Sequence, residues 1–465
     1  MVVFSQGPVY TYILEEGTSL NTIREILTFK DEERFFKKAY REGGWDGCYR
    51  YLKHSAKLGM YYFKSGFLSL VAGALDEPYR VRRKKHSHPL TVDPNTLPNY
   101  SMTGRYSYQH KVVEKALQKE YGVLDLATNA GKTVIAAAMI KALDCPTLFV
   151  VPFRTLLFQS SKTLREETGL EVGLLGAGHK DLDTQVVVAT AASAANQDEE
   201  WLARFKGVIV DECHLASADT YLTILDGCRN AFFRYGLSGT PFDRKKMNNV
   251  KLMSVLGDAI YKVSNKDLIE AGVSATPTVR MISQKDSSEE LSPDKLKVWQ
   301  SCYKAHITDN DYRNGKIVKV AERHVNEGDK VLILVRMIKH GRALEKMFSE
   351  DGFDIPFYYG DTKDTVLEEG LTEMREGETP ALILSSIGEV GLDIPNLDVM
   401  IRATGYKSTV SVLQGIGRLL RAEGEKTRVF LYDFYDQMDN FTRKHSESRY
   451  ADYLAEGFEI EDYTV

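Results

Sequence analysis

The stretch VLDLATNAGKTVIAAAMIKAL, residues 123–143, decides the fold class of this chain. It begins with a short apolar run typical of a buried strand, passes through a loop with one glycine, and continues as an apolar helical run. A loop between a strand and a helix aims backbone N–H groups and the positive end of the helix dipole at a phosphate. We therefore predict that the loop in residues 126–133 binds a nucleotide.

The side chains of this loop suit a triphosphate. Lys132 is expected to neutralise the β- and γ-phosphates, and Thr133 to place its hydroxyl on Mg²⁺. The loop departs from the pattern G-x-x-x-x-G-K-[ST], because Leu126 stands where the first glycine is expected. The alternative is an ordinary helix N-terminus with an exposed lysine. The remaining loop residues expected at the nucleotide are Thr128, Asn129, Ala130 and Gly131.

A second stretch, VIVDECH at residues 208–214, has an apolar run that ends in two carboxylates. Asp211 is expected to hold the Mg²⁺ shell, and Glu212 to orient or deprotonate the attacking water. The alternative is an ordinary acidic pair at a strand end. A phosphate loop and a strand-end acid pair in one α/β unit make coincidence a poor explanation, and together they predict ATP hydrolysis.

Composition narrows the class of protein. The chain has 465 residues, which indicates two or three domains. Its five cysteines stand singly, so the sequence favours a reducing, cytoplasmic location without zinc or disulfides. No apolar run reaches the roughly 18 residues that span a bilayer. The net charge of −5 argues against uniform coating of DNA but leaves room for a local basic groove.

The distribution of apolar runs predicts the architecture. TLFVVP, VVVAT, KVLILV, PALILSS and VMIRAT are short β-branched runs that alternate with helical or loop sequence. Continuous apolar runs of this length are typical of parallel strands that are buried on both faces. The pattern therefore predicts doubly wound parallel sheets in both halves of the chain.

Residues 211–214, read as D-E-x-H, resemble the Walker B box of superfamily 2 helicases. Further boxes of that family occur in the right order over residues 104–435. They are Tyr108-Gln109, VVPFRTLLFQ (150–159), VVVATA (186–191), LSGTP (237–241), LSSIGEVGLDIP (384–395) and QGIGRLLR (414–421). The resemblance implies an α/β fold with two RecA-like parallel-sheet lobes of the P-loop NTPase type, preceded here by a small α+β domain.

The resemblance also implies roles in the first lobe. Gln109 would read the adenine, while Arg154 and Thr190 would contact a nucleic-acid phosphate. His214 would link the ATP site to Thr240. The coupling residues carried over from the family are His214, Ser238 and Thr240.

The second lobe is expected to complete the ATP site. Arg418 and Arg421 lie three residues apart, so they share one helical face. An arginine from a second lobe stabilises charge on the transferring phosphoryl group, and hydrolysis then depends on lobe closure. The alternative is a surface salt-bridge helix. By resemblance, Gln414 belongs to the same box, and Gly391 and Asp393 would support the nucleotide or the arginines.

The N-terminal region resembles the small first domain of the UvsW-type fork-remodelling helicases of phages, through GGWDGCYRYL at residues 43–52. Trp45 could stack on a base and Arg50 could meet phosphate; the alternative is that Trp45 packs in the core of its own domain. The dense basic cluster further along has two readings, a DNA contact or a solvated linker. Its residues include Arg82, Arg83, Lys84 and Lys85.

Three prolines within residues 89–98 mark a linker, and composition shifts suggest the other boundaries. The predicted organisation is an α+β DNA-binding domain (1–88), a linker (89–103), RecA-like lobe 1 (104–243), a connector (244–275), RecA-like lobe 2 (276–440) and a helical tail (441–465).

These features predict an ATP- and Mg²⁺-dependent DNA helicase or translocase of superfamily 2. The resemblance implies branched or forked duplexes, single-stranded DNA and RNA–DNA hybrids as partners, with no membrane. We expect a monomer in the cytoplasm, which is the host cytoplasm for a phage-encoded protein. The alternatives are an RNA helicase, a translocase subunit of a restriction enzyme, and a non-catalytic DNA clamp switched by ATP.

Overall fold

The computed structural model describes residues 1–83, 93, 97–242, 246–385, 397–406 and 428–465. The described chain forms two compact units. One comprises Met1–Leu126 and Gly131–Val263, and the other comprises Ala127–Ala130 and Ser264–Val465.

The N-terminal domain is built on a five-stranded sheet in the order β5-β6-β2-β1-β7. Its strands, with a separate β3–β4 pair, are β1 (Val2–Gln6), β2 (Tyr10–Glu15), β3 (Thr28–Lys30), β4 (Cys48–Arg50), β5 (Lys53–Ser55), β6 (Met60–Lys64) and β7 (Tyr79–Arg82). Its helices are α1 (Leu20–Ile26), α2 (Lys38–Arg41) and α3 (Leu68–Gly73). The apolar side chains of α1 and α3 pack on one face of the sheet and form the core of the domain.

The first lobe has an eight-stranded sheet in the order β11-β10-β12-β9-β13-β14-β8-β15. Its strands are β8 (Tyr121–Leu126), β9 (Thr147–Val151), β10 (Val172–Gly176), β11 (His179–Lys180), β12 (Val186–Thr190), β13 (Gly207–Asp211), β14 (Phe233–Ser238) and β15 (Ala259–Val263). Its helices are α4 (Tyr108–Lys119), α5 (Lys132–Leu143), α6 (Arg154–Thr168), α7 (Ala191–Ala195), α8 (Glu199–Ala203), α9 (Asp219–Gly227) and α10 (Lys246–Leu256). All strand pairs are parallel except β10 with β11.

The second lobe has a seven-stranded parallel sheet in the order β18-β19-β17-β20-β21-β16-β22. Its strands are β16 (Thr276–Gln284), β17 (Val331–Leu334), β18 (Phe357–Tyr358), β19 (Ala381–Leu384), β20 (Val399–Arg402), β21 (Arg428–Asp436) and β22 (Glu459–Tyr463). Its helices are α11 (Asn265–Glu270), α12 (Trp299–Tyr303), α13 (Asp311–Glu327), α14 (Ile338–Glu350), α15 (Asp364–Glu376) and α16 (Asn440–Ala455).

The predicted fold class is confirmed: two parallel-sheet lobes follow a small α+β domain. Two predicted segments contribute more structure than expected. The described part of 244–275 supplies β15, which pairs with β8 at the edge of the first sheet. The predicted helical tail, 441–465, also supplies β22, which pairs with β16. Both strands are short and partly exposed, so they lack the continuous apolar run that marks a buried strand.

Buried charges stabilise the second lobe beside its apolar core. Arg449 donates from Nε to Asp433 over 2.8 Å, and Arg313 donates from Nε to Asp436 over 2.9 Å. All four side chains are fully buried. Tyr453 donates its hydroxyl to Asp433 over 2.6 Å. Burial alone would raise the pKa of Asp433, but the guanidinium of Arg449 beside it brings that pKa below its usual range.

The N-terminal domain packs directly on the first lobe. Val250 of α10 belongs to the core of the N-terminal domain, and Gly66 lies against the backbone of the same helix. A Cβ atom at Gly66 would lie 2.0 Å from the carbonyl oxygen of Met253. Backbone atoms in a packed helix cannot retreat easily, so this close approach requires glycine.

We expect Gly66→Ala to destabilise the first unit by about 1–3 kcal/mol, because the added methyl group overpacks this contact. Urea unfolding followed by circular dichroism measures the change. Gly73→Ala is the matched control, because no atom lies within 4 Å of a Cβ at that position. Equal stability of the two variants would contradict the close packing of the domain on α10.

Within the part of the chain that the structure describes, no helix combines the length and the apolar character that crossing a bilayer requires.

Candidate nucleotide site

The predicted phosphate loop lies between β8 and α5. Gly131 precedes the helix with a φ of +74°, in the left-handed region. A Cβ atom there would lie 2.5 Å from Nε2 of Gln109. The buried side chain of Gln109, on α4, therefore lies against the loop, and any side chain at Gly131 would displace it.

The first residue of α5 is paired with the strand-end acids. Nζ of Lys132 lies 2.6 Å from Oε1 of Glu212. Both side chains are largely buried, at 17% and 15% exposure, so the two charges interact with little screening by solvent. The parallel register brings Lys132 and Glu212 together, because β13 and β8 flank β14 and their C-terminal ends lie side by side.

The backbone of Glu212 is strained. Its φ of +47° and ψ of +51° lie in the left-handed region, which costs a non-glycine residue about 1–2 kcal/mol. The turn directs the Glu212 carboxylate toward Lys132 on one side and toward Ser238 on the other, whose Oγ lies 3.4 Å from Oε2. Strain of this kind is typical of functional sites, where it fixes a reactive group in one direction.

Burial and charge act in opposite directions on the two acids. Burial raises the pKa of Asp211. Burial would also raise the pKa of Glu212, but the Lys132 ammonium and the His214 ring lower it below the usual value. Glu212 is thus the ionised partner of Lys132, whereas Asp211 is a buried carboxyl that a further cation would stabilise.

The donor atoms near the loop fit a magnesium ion. A carboxylate from Asp211 and a hydroxyl from Thr133 are the hard oxygen ligands that Mg²⁺ prefers. The raised pKa of Asp211 also favours a magnesium site, because a nearby divalent cation would offset the cost of burying the charge of its carboxylate.

His214 lies beside the predicted coupling residue Ser238. Its Nδ1 lies 3.0 Å from Oγ of Ser238, the last residue of β14, and 3.4 Å from Oε2 of Glu212. Thr240 joins this chain through its backbone, whose N–H donates to Oγ of Ser238 over 3.2 Å. The link from Glu212 to Thr240 therefore passes through Ser238, because β14 ends beside β13.

Two predicted nucleic-acid contacts of the first lobe lie at the C-terminal ends of neighbouring strands. Thr190 ends β12 in register with Val151, the last residue of β9, and Arg154 begins the helix that follows β9. Arg154 is exposed. The Thr190 hydroxyl lies 2.9 Å from Oγ of Ser193 and caps α7.

Trp45, which lies just before β4, has partners within its own domain. Trp45 donates its indole N–H to the carbonyl oxygen of Cys48 over 3.0 Å, and its ring lies 5.0 Å from that of Tyr49. Arg50 forms an exposed ion pair with Asp46. These contacts hold Trp45 against neighbouring residues of its own domain.

The remaining predicted site residues lie on the N-terminal domain or outside the described part of the chain. Arg82 and Arg83, at the end of the N-terminal sheet, are exposed. Outside the described residues are Lys84, Lys85, Gly391, Asp393, Gln414, Arg418 and Arg421.

Two family models match the chain in sequence. "Type III restriction enzyme, res subunit" matches residues 103–243, and "Helicase conserved C-terminal domain" matches residues 314–423. The first range contains the Lys132–Glu212 site, and the second contains four of the seven strands of the second sheet, β17 to β20. The chain carries a superfamily 2 helicase core.

Relatives of this helicase include the ATP-dependent DNA helicase UvsW of Enterobacteria phage T4, which is 25% identical over 97% of this chain and 96% of UvsW. The DNA 3'-5' translocase XPB2 of Sulfurisphaera tokodaii is 24% identical over 69% of this chain and 79% of its own. Among solved structures, a fragment of a putative HsdR subunit of a type I restriction enzyme from Vibrio vulnificus shares the fold, with a TM-score of 0.58 and 21% identity over 79% of this chain and 70% of that chain.

Proposed function

We propose that this helicase is an ATP-driven DNA motor that acts on branched DNA, remodelling forks, migrating four-way junctions and unwinding RNA–DNA hybrids. The observation that carries the proposal is the extent of the similarity to UvsW, a DNA helicase by name, which covers nearly all of both chains and so includes the N-terminal domain. Motor lobes alone would leave the substrate open, since fold does not determine function.

In this proposal ATP binding rearranges the Lys132–Glu212 pair. Lys132 moves from the carboxylate to the β- and γ-phosphates, and Glu212 is released to orient the attacking water and accept its proton. The contacts of Ser238 and His214 with Oε2 support this assignment, because they hold the carboxylate in place when Lys132 leaves. Mg²⁺ held by Asp211 and Thr133 would neutralise charge on the phosphates.

The other functional residues are part of the same proposal. We assign adenine recognition to Gln109, and support of the transferring phosphoryl group to Arg418 and Arg421. The Glu212–Ser238–Thr240 chain would couple the state of the ATP site to the nucleic acid. We further propose that the protein works as a monomer in the cytoplasm, within the domain boundaries given above.

Unwinding assays on matched substrates test this function. We expect ATP-dependent turnover of a fork, a four-way junction and an R-loop, with weaker activity on blunt duplex. Failure on every branched substrate would remove the branched-DNA assignment and leave the motor. Stronger stimulation of ATP hydrolysis by RNA than by DNA would favour the RNA helicase, and release of a single phosphate per enzyme would favour the clamp.

A further inference from the structure

One face of the N-terminal sheet is occupied by the core of that domain, and the opposite face is aromatic. Phe4, Ile13 and Phe63 point into the core on three neighbouring strands. Because side chains alternate along a strand, Tyr12 and Tyr62 lie on the other face. The described helices α1 and α3 pack on the core side and leave these tyrosines only partly buried.

The strand register places one residue from each of the five strands in a single row on this outer face. Directly paired residues share a face, and the pairs join end to end. The row runs Lys53, Tyr62, Tyr12, Ser5 and Arg82. Two aromatic rings therefore lie at its middle, and a basic side chain lies at each end.

The tyrosine rings form a continuous surface. The rings of Tyr62 and Tyr12 have centroids 5.7 Å apart and an angle of 32° between their planes. Tyr10 meets Tyr62 edge to face at 5.3 Å, and the ammonium of Lys64 lies 4.7 Å from the centroid of Tyr10. Aromatic rings flanked by cations on an open sheet are the arrangement on which unpaired bases stack.

The surroundings of this face favour a nucleic acid over a protein partner. Lys53, Arg80 and Arg82 are exposed on its two sides, where a phosphate backbone would meet positive charge. Val3, the aliphatic residue of this face on β1, is buried.

The face is also fixed to the motor. Lys64, which is paired with Tyr10 on the same face, forms an ion pair with Asp226 of α9 in the first lobe. With the close contact of Gly66 on α10, this pair ties the sheet to the first lobe. A strand bound on the sheet would therefore be held at a fixed position relative to the ATP site of that lobe.

We propose that this face, defined by Tyr10, Tyr12, Tyr62, Lys53 and Arg82, binds the bases of an unpaired DNA strand by stacking. The inference deepens the proposed action on branched DNA, on which it rests, because separating or exchanging strands exposes unpaired bases. It assigns a site for the displaced strand to the N-terminal domain, separate from the segment that carries Trp45.

Binding of an oligothymidylate of about 20 nucleotides, measured by fluorescence anisotropy on the full chain without ATP, tests the site. Tyr12→Leu/Tyr62→Leu keeps apolar bulk but removes the rings, and we expect it to weaken binding at least about ten-fold. Tyr12→Phe/Tyr62→Phe should bind as the native chain does. Tyr312→Leu is the matched control, since Tyr312 is 60% exposed on α13. The affinity of the leucine variant for a blunt duplex should fall less than about two-fold, because the bases of a duplex are already stacked on one another.

Photocrosslinking keeps the inference testable if the leucine variant unfolds. A thymidylate strand substituted with 5-iodouracil should crosslink the native chain at Tyr12 or Tyr62, as located by mass spectrometry. Crosslinks confined to other segments, unchanged binding by the leucine variant, or equal losses on duplex and single strand would each overturn the proposal. Stacking at these tyrosines without DNA-stimulated ATP hydrolysis would instead sink the proposed motor function and leave the site standing.

Discussion

Lys132→Ala is expected to lower the rate of ATP hydrolysis by about 10²–10³-fold or more, with DNA binding nearly unchanged. Lys132 is the cation at the phosphate loop, and its pairing with Glu212 places its ammonium beside the acids that the mechanism uses. Without it, the charge developing on the phosphates loses its nearest positive partner. Phosphate release at saturating DNA measures the loss, and fluorescence anisotropy measures DNA binding.

The control for this variant lies on the same helix. Lys141 is in the last turn of α5, where its Nζ donates to the carbonyl oxygen of Thr168 over 3.0 Å. Lys141→Ala changes the charge of the helix equally but leaves the loop intact, so it should retain most activity. DNA-stimulated hydrolysis that persists in Lys132→Ala would place the ATP site elsewhere.

Asp433→Ala should destabilise the second lobe by about 3–5 kcal/mol. The substitution removes the carboxylate that accepts from Arg449 and Tyr453, and it leaves the fully buried Arg449 guanidinium short of compensating charge. Breaking one side of a buried pair costs far more than breaking an exposed pair, because solvent cannot replace the missing partner. This is the largest stability effect that we expect from a single substitution in the chain.

The second unit contains one of the three tryptophans, which allows its unfolding to be followed by itself. Trp299 lies 4.2 Å, between ring centroids, from His445 on the helix that carries Arg449. In a Trp45→Phe/Trp201→Phe background, urea unfolding monitored by fluorescence reports on this lobe. Glu350→Ala is the control, since its ion pair with Lys346 is exposed and should contribute less than about 1 kcal/mol. A comparable loss of unfolding free energy in Asp433→Ala and Glu350→Ala would show that Asp433 contributes no more than a surface charge does.

The strands that the sequence predicts are those whose environment is apolar on both faces. β9, β12, β13 and β17 are fully buried, so their β-branched runs identify them directly. β16 has the mixed sequence TPTVRMISQ and still lies between two other strands. The side-chain amide of its buried Gln284 donates to the carbonyl oxygen of Asp286 over 2.7 Å, a contact that the strand pattern does not predict.

In the candidate site, too, the sequence predicts the residues of local motifs but not the contacts that depend on the arrangement of strands. The order of the boxes identifies Lys132 and Glu212, and the structure brings them within 2.6 Å. The sequence names His214, Ser238 and Thr240 as coupling residues, and the order of the strands decides that Ser238 lies between the other two. The left-handed backbone of Glu212 has no signature in the letters DECH, because glutamate ordinarily avoids that conformation.

The position of β16 has a consequence for folding during synthesis. β16 pairs with β21 and β22, and both of these strands are made later. About 175 residues separate the end of β16 from the start of β22, and a ribosome adding roughly 5–20 residues per second needs about 10–35 s to supply them. For most of that interval, until β21 is made, both edges of β16 lack their partners, whereas the strands of the first unit are already complete. We therefore expect the nascent second lobe to expose unpaired strand edges for longer than the first unit does.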